Sequence, residues 1–449
     1  MTIATVESQI AEWRRYVSAA PAVDGRDVDE LEDHLRHQIL ELGEAGLSEE
    51  EAFLVAVKRL GDIDALSREF AREHSSRLWK QLVLRGEPTD APGDHRWVMP
   101  IGLAVASAVA IQMGLRIGGF PNEPSAWIVR NLAFFVLPFL AAYFAVGRRL
   151  EIRGLLVTAA PFVGSAILVN LYPIETSSAI DVLVALHLPV LLWFGVAYPY
   201  TGGRLGSQDG RMDFVRFTGE WFIYFVLIAL GGGVLMALTG LILEPIDPDL
   251  GELVIEWMLP SGAAGAVIVA AWLVESKQQV VENMAPVLTM IFSPLFAVML
   301  TVAAVTYAVT GVAGDFDREL LGLFDLLLVV VLGLVLYALS ARESGRQPGV
   351  MDGIQLVAVL AALVLDGLVL GAMLARIADL GFTPNRVAAL GLNIVLLVNL
   401  AATAWMLLRS IRKRVPPNRL VRWQTAYLPV FALWAAAVVI VLPPVFGFS

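Results

Sequence analysis

The chain has 449 residues, of which 57% are hydrophobic and only 16% are charged, and its formal net charge is −10. Soluble globular proteins are about half apolar and about one quarter charged, so this composition indicates an integral membrane protein. Residues 1–96 contain 12 basic and 20 acidic side chains, and most of the negative charge lies there. Such an acidic segment excludes nucleic-acid binding, which requires a basic surface, and argues against docking on anionic lipid.

The absence of cysteine excludes disulfide bonds and thiolate metal sites. Only four of the 32 basic residues are lysine, which is typical of a bacterial genome rich in G and C. No signal peptide is expected, because the first 20 residues carry Glu7, Glu12, Arg14 and Arg15 and contain no apolar stretch.

Helical periodicity in residues 1–85 predicts a small cytoplasmic domain of four helices. We expect them at about 4–18, about 27–45, from Ser48 onward and at about 62–84. The second helix carries an i, i+4 apolar stripe, formed by Leu31, Leu35, Ile39 and Leu42. Ser48 and Glu51 form a capping box that starts the third helix.

A cluster of helix breakers over residues 86–96 predicts a linker, which leaves residues 97–449 as the transmembrane domain. The cytoplasmic domain resembles the helical "permease prefix" domains that precede bacterial permeases and other membrane proteins. The resemblance implies a regulatory or docking role and a possible cytoplasmic protein partner at residues 1–85. It rests on the stretches Leu31-Glu32-Asp33-His34-Leu35, Gly46-Leu47-Ser48-Glu49-Glu50-Glu51-Ala52-Phe53 and Ala56-Val57-Lys58-Arg59-Leu60-Gly61-Asp62.

His34 and His37 lie one helical turn apart, which could place two imidazoles toward one metal ion. Asp33 and Glu41 are the nearest further ligands. A solvated helix face explains the same pattern more simply, so we expect no metal site and no cofactor.

Eleven apolar stretches are long enough to cross a bilayer, which takes about 20 residues. The sequence therefore predicts an all-α polytopic membrane protein. We place the spans at 97–117, 127–147, 154–174, 179–200, 218–243, 255–275, 285–310, 319–341, 350–376, 386–408 and 424–446. We expect Gly231-Gly232-Gly233 to interrupt the fifth span and Pro260 to break the sixth near its end, as in transport sites formed by broken helices. For each of these residues taken singly, a simple kink or a tight packing point is the favoured interpretation.

The loops between the spans alternate in positive charge, which fixes the predicted orientation. With the N-terminus in the cytoplasm, the inner loops carry 15 basic residues and the outer loops five. The loop at 409–422 alone carries six and no acidic residue. We therefore predict a multi-pass protein of the bacterial inner membrane, with its C-terminus outside.

Ionisable residues within spans are costly, by about 2.5–3.5 kcal/mol on insertion scales, and they often mark function. Asp325 and Asp366 qualify, and Asp366 lies about 15 Å deep, ten residues before Arg376. One hypothesis places Asp366 in a polar cavity as a proton- or cation-binding carboxylate, with Arg376 or Arg386 as its counter-charge. The alternative is that both acids only hydrogen-bond neighbouring helices. Further polar candidates in the outer half of the membrane are His187, Asn170 and Asn393.

The segment Arg376-Ile377-Ala378-Asp379-Leu380-Gly381-Phe382-Thr383-Pro384-Asn385-Arg386 is similar to the loop of a bacterial polytopic membrane family of unknown function. The ending, with Trp423-Gln424-Thr425-Ala426-Tyr427-Leu428-Pro429 and Leu442-Pro443-Pro444, is similar too. The resemblance covers roughly the membrane domain and implies no activity. Thr383-Pro384-Asn385 also reads as the capped start of the tenth span.

No Walker A, dinucleotide-binding, zinc-protease or serine-hydrolase motif occurs in the sequence, so we expect no enzyme activity. The leading hypothesis is a permease-like protein, proton- or cation-linked, transporting an unknown substrate under regulation by the cytoplasmic domain. The alternative is a membrane-anchored sensor or assembly scaffold without transport. The sequence specifies the lipid bilayer as a partner and no oligomeric state.

Overall fold

The computed structural model describes residues 6–18, 25–44, 48, 52–53, 55–57, 97–120, 125–243, 254–276, 284–310, 318–340, 349–412 and 418–449. Throughout these ranges the regular structure is helical, without a strand, which confirms the all-α prediction. The chain forms two compact units, Met1–Asp94 and His95–Ser449.

The first unit contains α1 (Val6–Ser18) and α2 (Gly25–Glu44), with further helical residues at 52–53 and 55–57. Its buried core joins both helices to the third through Ile10, Leu35, Leu42, Ala52 and Ala56. The Ala52 amide donates to the Ser48 carbonyl at 2.8 Å, so a helical turn begins at the predicted position. The helix predicted at 62–84 and the linker at 86–96 lie outside the described residues.

An ion-pair network joins α1 to α2. Arg36 bonds both Glu7, at 2.7 and 2.9 Å, and Glu32, at 3.0 Å, while Arg14 also pairs with Glu32. The hydrogen bonds from Arg14 and Arg36 lower the pKa of the Glu32 carboxyl below its usual value. Because Glu7 is exposed at the surface, water screens its share of the network, and Glu32 is the stronger link.

The second unit contains eleven helical segments that are long and apolar enough to span a membrane, counted over the described residues. All eleven coincide with the predicted spans to within several residues, apart from the earlier start of the fifth. They are formed by α3 (Val98–Ile117), α4 (Ala126–Asn131) with α5 (Leu137–Gly147), α6 (Ile152–Leu171), α7 (Ala179–Tyr200), α8 (Gln208–Leu243), α9 (Leu259–Ser276), α10 (Met284–Thr310), α11 (Arg318–Ser340), α12 (Val350–Leu380), α13 (Pro384–Ile411) and α14 (Asn418–Ala436) with α15 (Leu442–Val445).

Large apolar side chains cover the outside of these helices. Leu171, Leu433 and Val309 each expose more than two thirds of their surface, and many other Leu, Ile and Val residues are also exposed. A soluble monomer rarely shows a contiguous apolar surface of this extent, whereas a bilayer covers it. The chain is therefore an integral membrane protein that crosses the membrane many times.

The expected interruption of the fifth span is wrong. Helix α8 runs unbroken for 36 residues through Gly231-Gly232-Gly233, and it begins ten residues before the predicted start. A Cβ added at any of these glycines would meet no atom within 4 Å, so they mark neither a break nor a close helix contact. Intrahelical hydrogen bonds remain available to glycine, which explains why the helix continues.

Three other spans do contain irregular backbone, and in the last of them a π-helical segment, Ala437–Val441, joins α14 to α15. The second span changes to a 3-10 turn at Leu132–Phe135 and restarts as α5, with Pro138 in its first turn. The sixth begins with a π-helical turn, Val254–Met258, before Pro260. The Gln112 amide of α3 lies 3.1 Å from the Glu256 carbonyl and 2.9 Å from the Trp257 carbonyl, which supplies a donor to this turn.

The membrane unit has two apolar cores. The first lies among α5, α6, α7 and α9 and includes Phe144, Leu188 and Val196, while the second lies among α10 to α13 and includes Leu300, Leu328 and Leu365. Helix α8 contributes Phe217 to the first core and Val215 to the second. It therefore connects the two halves of the unit.

Helices α13 and α14 approach each other closely at a glycine of α13. A Cβ built on Gly391 would lie 1.9 Å from the Trp434 ring. Small residues let membrane helices approach closely, and dispersion contacts then replace the hydrophobic effect, which is weak between helices in lipid. Gly371 of α12, by contrast, is exposed and has no atom within 4 Å of such a Cβ.

We expect Gly391→Ala to destabilise the purified protein by about 1–3 kcal/mol, because the added methyl must displace the Trp434 ring. The measurement is the midpoint of thermal unfolding in detergent. Gly371→Ala is the matched control and should leave the midpoint unchanged or raise it slightly, since alanine favours the helix. Equal midpoints for the two variants would contradict the packing seen here.

Candidate functional site

Two carboxyl side chains and one amide side chain within the spans of the second half lie on three consecutive helices that pack together. Asp325 is in the early part of α11, Asp366 lies at the centre of α12, and Asn393 is in the early part of α13. The structure brings all three helices into contact.

Asp366 is fully buried, with no exposed surface. Neither of its carboxyl oxygens has a hydrogen-bond partner among the residues that the structure describes. Helix α12 has 31 residues, about 46 Å at 1.5 Å per residue, so the carboxyl group lies near the midplane of the bilayer. An ionised carboxylate in that position is costly unless a proton or a cation compensates it.

Asp325 and Asn393 are joined directly. The Asn393 side-chain amide donates to Asp325 at 2.8 Å and also to the Ala389 carbonyl at 3.0 Å, while the Met373 sulfur lies 3.6 Å away. Asp366 lies on α12, which packs against the helices of both residues. The three residues therefore form one acidic cluster, defined here as Asp325, Asp366 and Asn393.

The two arginines proposed as counter-charges lie elsewhere. Arg376 is ten residues along α12 from Asp366, about 15 Å. Arg386 donates to the carbonyls of Leu380 and Gly381, at 3.0 and 2.8 Å, and so completes the turn between α12 and α13. In this structure the arginine of the Thr-Pro-Asn-Arg turn therefore serves as a helix cap.

The same turn has the geometry that its sequence predicts. The Thr383 hydroxyl accepts from the Arg386 amide at 3.4 Å, and Pro384 is the first residue of α13. Gly381 ends α12 with a φ of 74°, a left-handed conformation that favours glycine.

The remaining polar candidates lie in the first half and away from the cluster. The His187 ring bonds the Leu183 carbonyl one turn earlier at 2.9 Å, as a packed residue does. Asn170 exchanges amide hydrogen bonds with Asn131 and accepts from Trp127 at 2.7 Å. The Asn170 contacts join α6 to α4. Both His187 and Asn170 therefore have structural roles.

A fully buried polar network that the sequence did not indicate joins α13 to α14. Asn399 and Gln424 exchange two amide hydrogen bonds, at 3.0 and 3.1 Å, and Gln424 also donates to Thr403 at 2.6 Å. The sequence does show amide and hydroxyl side chains within the predicted spans, and these were the available signal for such a network. What remained unknown was which residues of two different spans would meet.

A second feature missed in the sequence is a charged cavity of about 350 Å³ at the membrane face where α5, α7 and α9 end. The walls come from these helix ends and from the first part of α8. Its lining residues are Arg148, Tyr200, Thr201, Arg204, Gly210, Asp213, Arg216, Phe217, Glu220, Val274 and Glu275. One face of α8 supplies Asp213, Arg216, Phe217 and Glu220, an i, i+3, i+4, i+7 stripe that was visible in the sequence.

His34 and His37 are both exposed on α2, as the solvated-face interpretation expects. Among the described residues no cluster of three or more His, Cys, Asp or Glu side chains could hold a metal ion.

No family model matches this chain, and no match to it was found among curated proteins or solved structures. The fold and the buried residues therefore define its class by themselves. The chain is a polytopic helical membrane protein with an acidic cluster inside its second half.

The buried network yields a direct test of what holds α13 against α14. Gln424→Leu keeps the approximate volume but leaves the Asn399 and Thr403 groups without their partner, so the unfolding midpoint should fall by the equivalent of about 1–2 kcal/mol. Thr425→Val is the control, because the Thr425 hydroxyl bonds only carbonyls of its own helix, at 3.0 and 3.2 Å. A loss no larger than that of the control would rule out this network as an interhelical tie.

Proposed function

We propose that this membrane protein is a permease-like transporter whose proton- or cation-binding site is the acidic cluster of Asp325, Asp366 and Asn393. The observation that carries the proposal is the state of Asp366, a carboxyl group at mid-membrane depth with no surface exposure. A residue that only holds helices together does so through hydrogen bonds between them, and Asp366 makes none within the described part of the chain.

The surroundings of Asp366 suit reversible binding of a proton or a cation. Both of its oxygens and the Asn393 carbonyl oxygen lack a donor among the described residues, so the cluster offers acceptor oxygens. A proton or a hard cation satisfies such oxygens, whereas an anion does not. Asp325 adds a second carboxyl group, and mutual repulsion makes the charge of each one depend on occupancy of the other.

The rival proposal is a sensor or scaffold whose spans carry nothing. It requires that the region around Asp366 stays dry in every state of the protein. The transport proposal requires that water reaches Asp366 from at least one side during the cycle. Access of water to this position therefore decides between the two.

We also propose that the N-terminus faces the cytoplasm of a bacterial inner membrane. The support is the distribution of basic residues, which concentrate at the helix ends and loops on one membrane face. In this orientation Gly206, between α7 and α8, faces the cytoplasm, while Asp379, at the end of α12, faces outward.

The absence of native cysteine makes the orientation simple to test. We expect Asp379→Cys to react with a membrane-impermeant maleimide in intact cells. Gly206→Cys should react only after the membrane is permeabilised. The reverse pattern would contradict the proposed orientation.

The same labelling tests the acidic cluster. We expect Asp366→Cys to react with a small water-soluble methanethiosulfonate reagent from one side of the membrane, more slowly than the exposed Asp379→Cys. An Asp366→Cys variant that folds but never reacts would favour the dry scaffold.

Ion coupling is then measured with the full chain in proteoliposomes, as proton, sodium or potassium entry driven by a membrane potential. Asp366→Asn should abolish the flux. Asp379→Asn, the same change at the exposed end of the same helix, should leave the flux intact. Flux of equal size in Asp366→Asn would exclude Asp366 as the ion site.

The cytoplasmic domain is proposed to regulate this transport, on its resemblance to permease prefix domains. Removal of residues 1–85 should change the rate of flux without removing its dependence on Asp366. An unchanged rate would separate this domain from transport and point to a docking role.

A further inference from the structure

The charged cavity lies on different helices from the acidic cluster and has its own chemistry. Its deep wall consists of Thr201, Phe217, Glu220 and Val274, each no more than 6% exposed. Its rim consists of Arg148, Arg204 and Asp213, which are exposed. A ligand that enters therefore passes two guanidinium groups and then meets a buried carboxyl group.

Aromatic rings stand beside that buried carboxyl group. Phe217 is one turn before Glu220 on α8, and its ring stacks on Tyr200 with centroids 4.5 Å apart. The Phe144 ring meets the edge of this pair at 5.2 Å and holds it in place. The faces of these rings are already covered, since Trp193 also stacks on Phe217 and the Arg148 guanidinium lies over the Tyr200 ring. The rings therefore form an apolar wall, and the Glu220 carboxyl group is the part of this wall that can recognise an ammonium group.

The guanidinium groups are also held in position. Arg148 donates to the Tyr200 carbonyl at 3.1 Å and pairs with Glu275 at 2.5 Å. Arg216 donates twice to the Ser340 carbonyl at the end of α11, at 3.2 and 2.7 Å. Arg204 donates from Nε to the Thr201 carbonyl at 3.4 Å, and it lines the cavity as an exposed residue. A carboxylate or phosphate is the natural partner of such arginines.

The charges of the lining balance, with three arginines against Asp213, Glu220 and Glu275. A ligand with a single charge would therefore meet as much repulsion as attraction. A ligand with both charges can place each one against its complement. The volume of about 350 Å³ is at the lower end of the range for small-molecule sites, so the ligand is small.

We propose that this cavity binds a small zwitterion, with its ammonium group against Glu220 and its oxyanion toward Arg204 and Arg148. The ligand can be a free solute or the headgroup of a zwitterionic lipid, because both carry these groups a few bonds apart. The site is independent of the acidic cluster, and each proposal can fail without the other.

The test uses the purified full chain in a background of anionic phosphatidylglycerol. Three soluble probes are titrated calorimetrically: γ-aminobutyrate, glycine betaine and glycerophosphoethanolamine. Phosphatidylethanolamine added to nanodiscs forms the lipid arm, read as a rise in the unfolding midpoint. We expect at least one probe or the lipid to bind saturably. Butylamine and butyrate, which carry one charge each, should bind at least tenfold more weakly.

Two variants locate the binding. Glu220→Gln and Arg204→Gln should each weaken binding at least tenfold, the first by loss of the ammonium partner and the second by loss of the oxyanion partner. Glu151→Gln and Arg153→Gln are matched controls, since both residues are exposed nearby and lie outside the cavity. They should bind as the unchanged protein does. Arg204 is exposed, so its variant remains informative if the Glu220 variant does not fold.

Binding of a soluble probe identifies a solute site, and binding of phosphatidylethanolamine alone identifies a headgroup site. Both results support the proposal. It is overturned if no probe and no lipid binds, if a single-charge analogue binds as well as the zwitterion, or if Arg204→Gln binds unchanged.

Discussion

Every polar group within the bilayer must find its partner inside the protein, and this constraint shapes the membrane unit. Helices satisfy their own backbone, so the spans are helical. Where the helix is irregular, a side chain from another span supplies the partner, as Gln112 does for the π-helical turn at Val254–Met258. Charged side chains obey the same rule, since Arg130 and Asp181 pair at 3.0 Å with both groups largely buried.

Asp366 departs from this rule more than the buried hydroxyls of Ser293 and Ser410, which also lack a partner among the described residues, because it is a carboxyl group with neither oxygen bonded. Asn399, Thr403 and Gln424 are buried just as deeply, yet each is bonded. A polar residue that is both buried and bonded stabilises the contact between helices. A residue that is buried and unbonded within the described chain only costs free energy, unless another species occupies its oxygens in the working protein.

Much of the fold follows from the sequence, because spans are specified locally. A run of about 20 apolar residues is sufficient to predict a helix, and Thr383-Pro384-Asn385 indicated the capped turn at which α13 begins. A local sequence pattern misleads where the same residues are compatible with two backbone structures. Three consecutive glycines in α8 suggested a break, but a helix in lipid has no better partner for its backbone than itself.

The sites were predictable only in part, because they depend on which helices meet. The sequence singled out Asp325, Asp366 and Asn393 as costly residues, and these three do lie together. It also grouped Arg376 and Arg386 with them by nearness along the chain, whereas Arg386 is bonded to backbone carbonyls of the turn. The charged cavity draws on four separate helix ends, and no local pattern joins Arg148 to Glu275 across more than a hundred residues.

Helix α11 connects the two proposed sites physically. Its early part carries Asp325, bonded to α13, and its last carbonyl, at Ser340, accepts two bonds from Arg216 of the cavity wall. The Tyr337 ring lies against Gly219 of α8, where an added Cβ would approach within 2.5 Å, so the two helices are locked at this end. Helix α11 is therefore a continuous link of about 22 Å between Ser340 and Asp325, with Arg216 bonded near one end and Asn393 near the other. The two proposed sites bind by separate chemistry, and α11 is an element that contacts both of them.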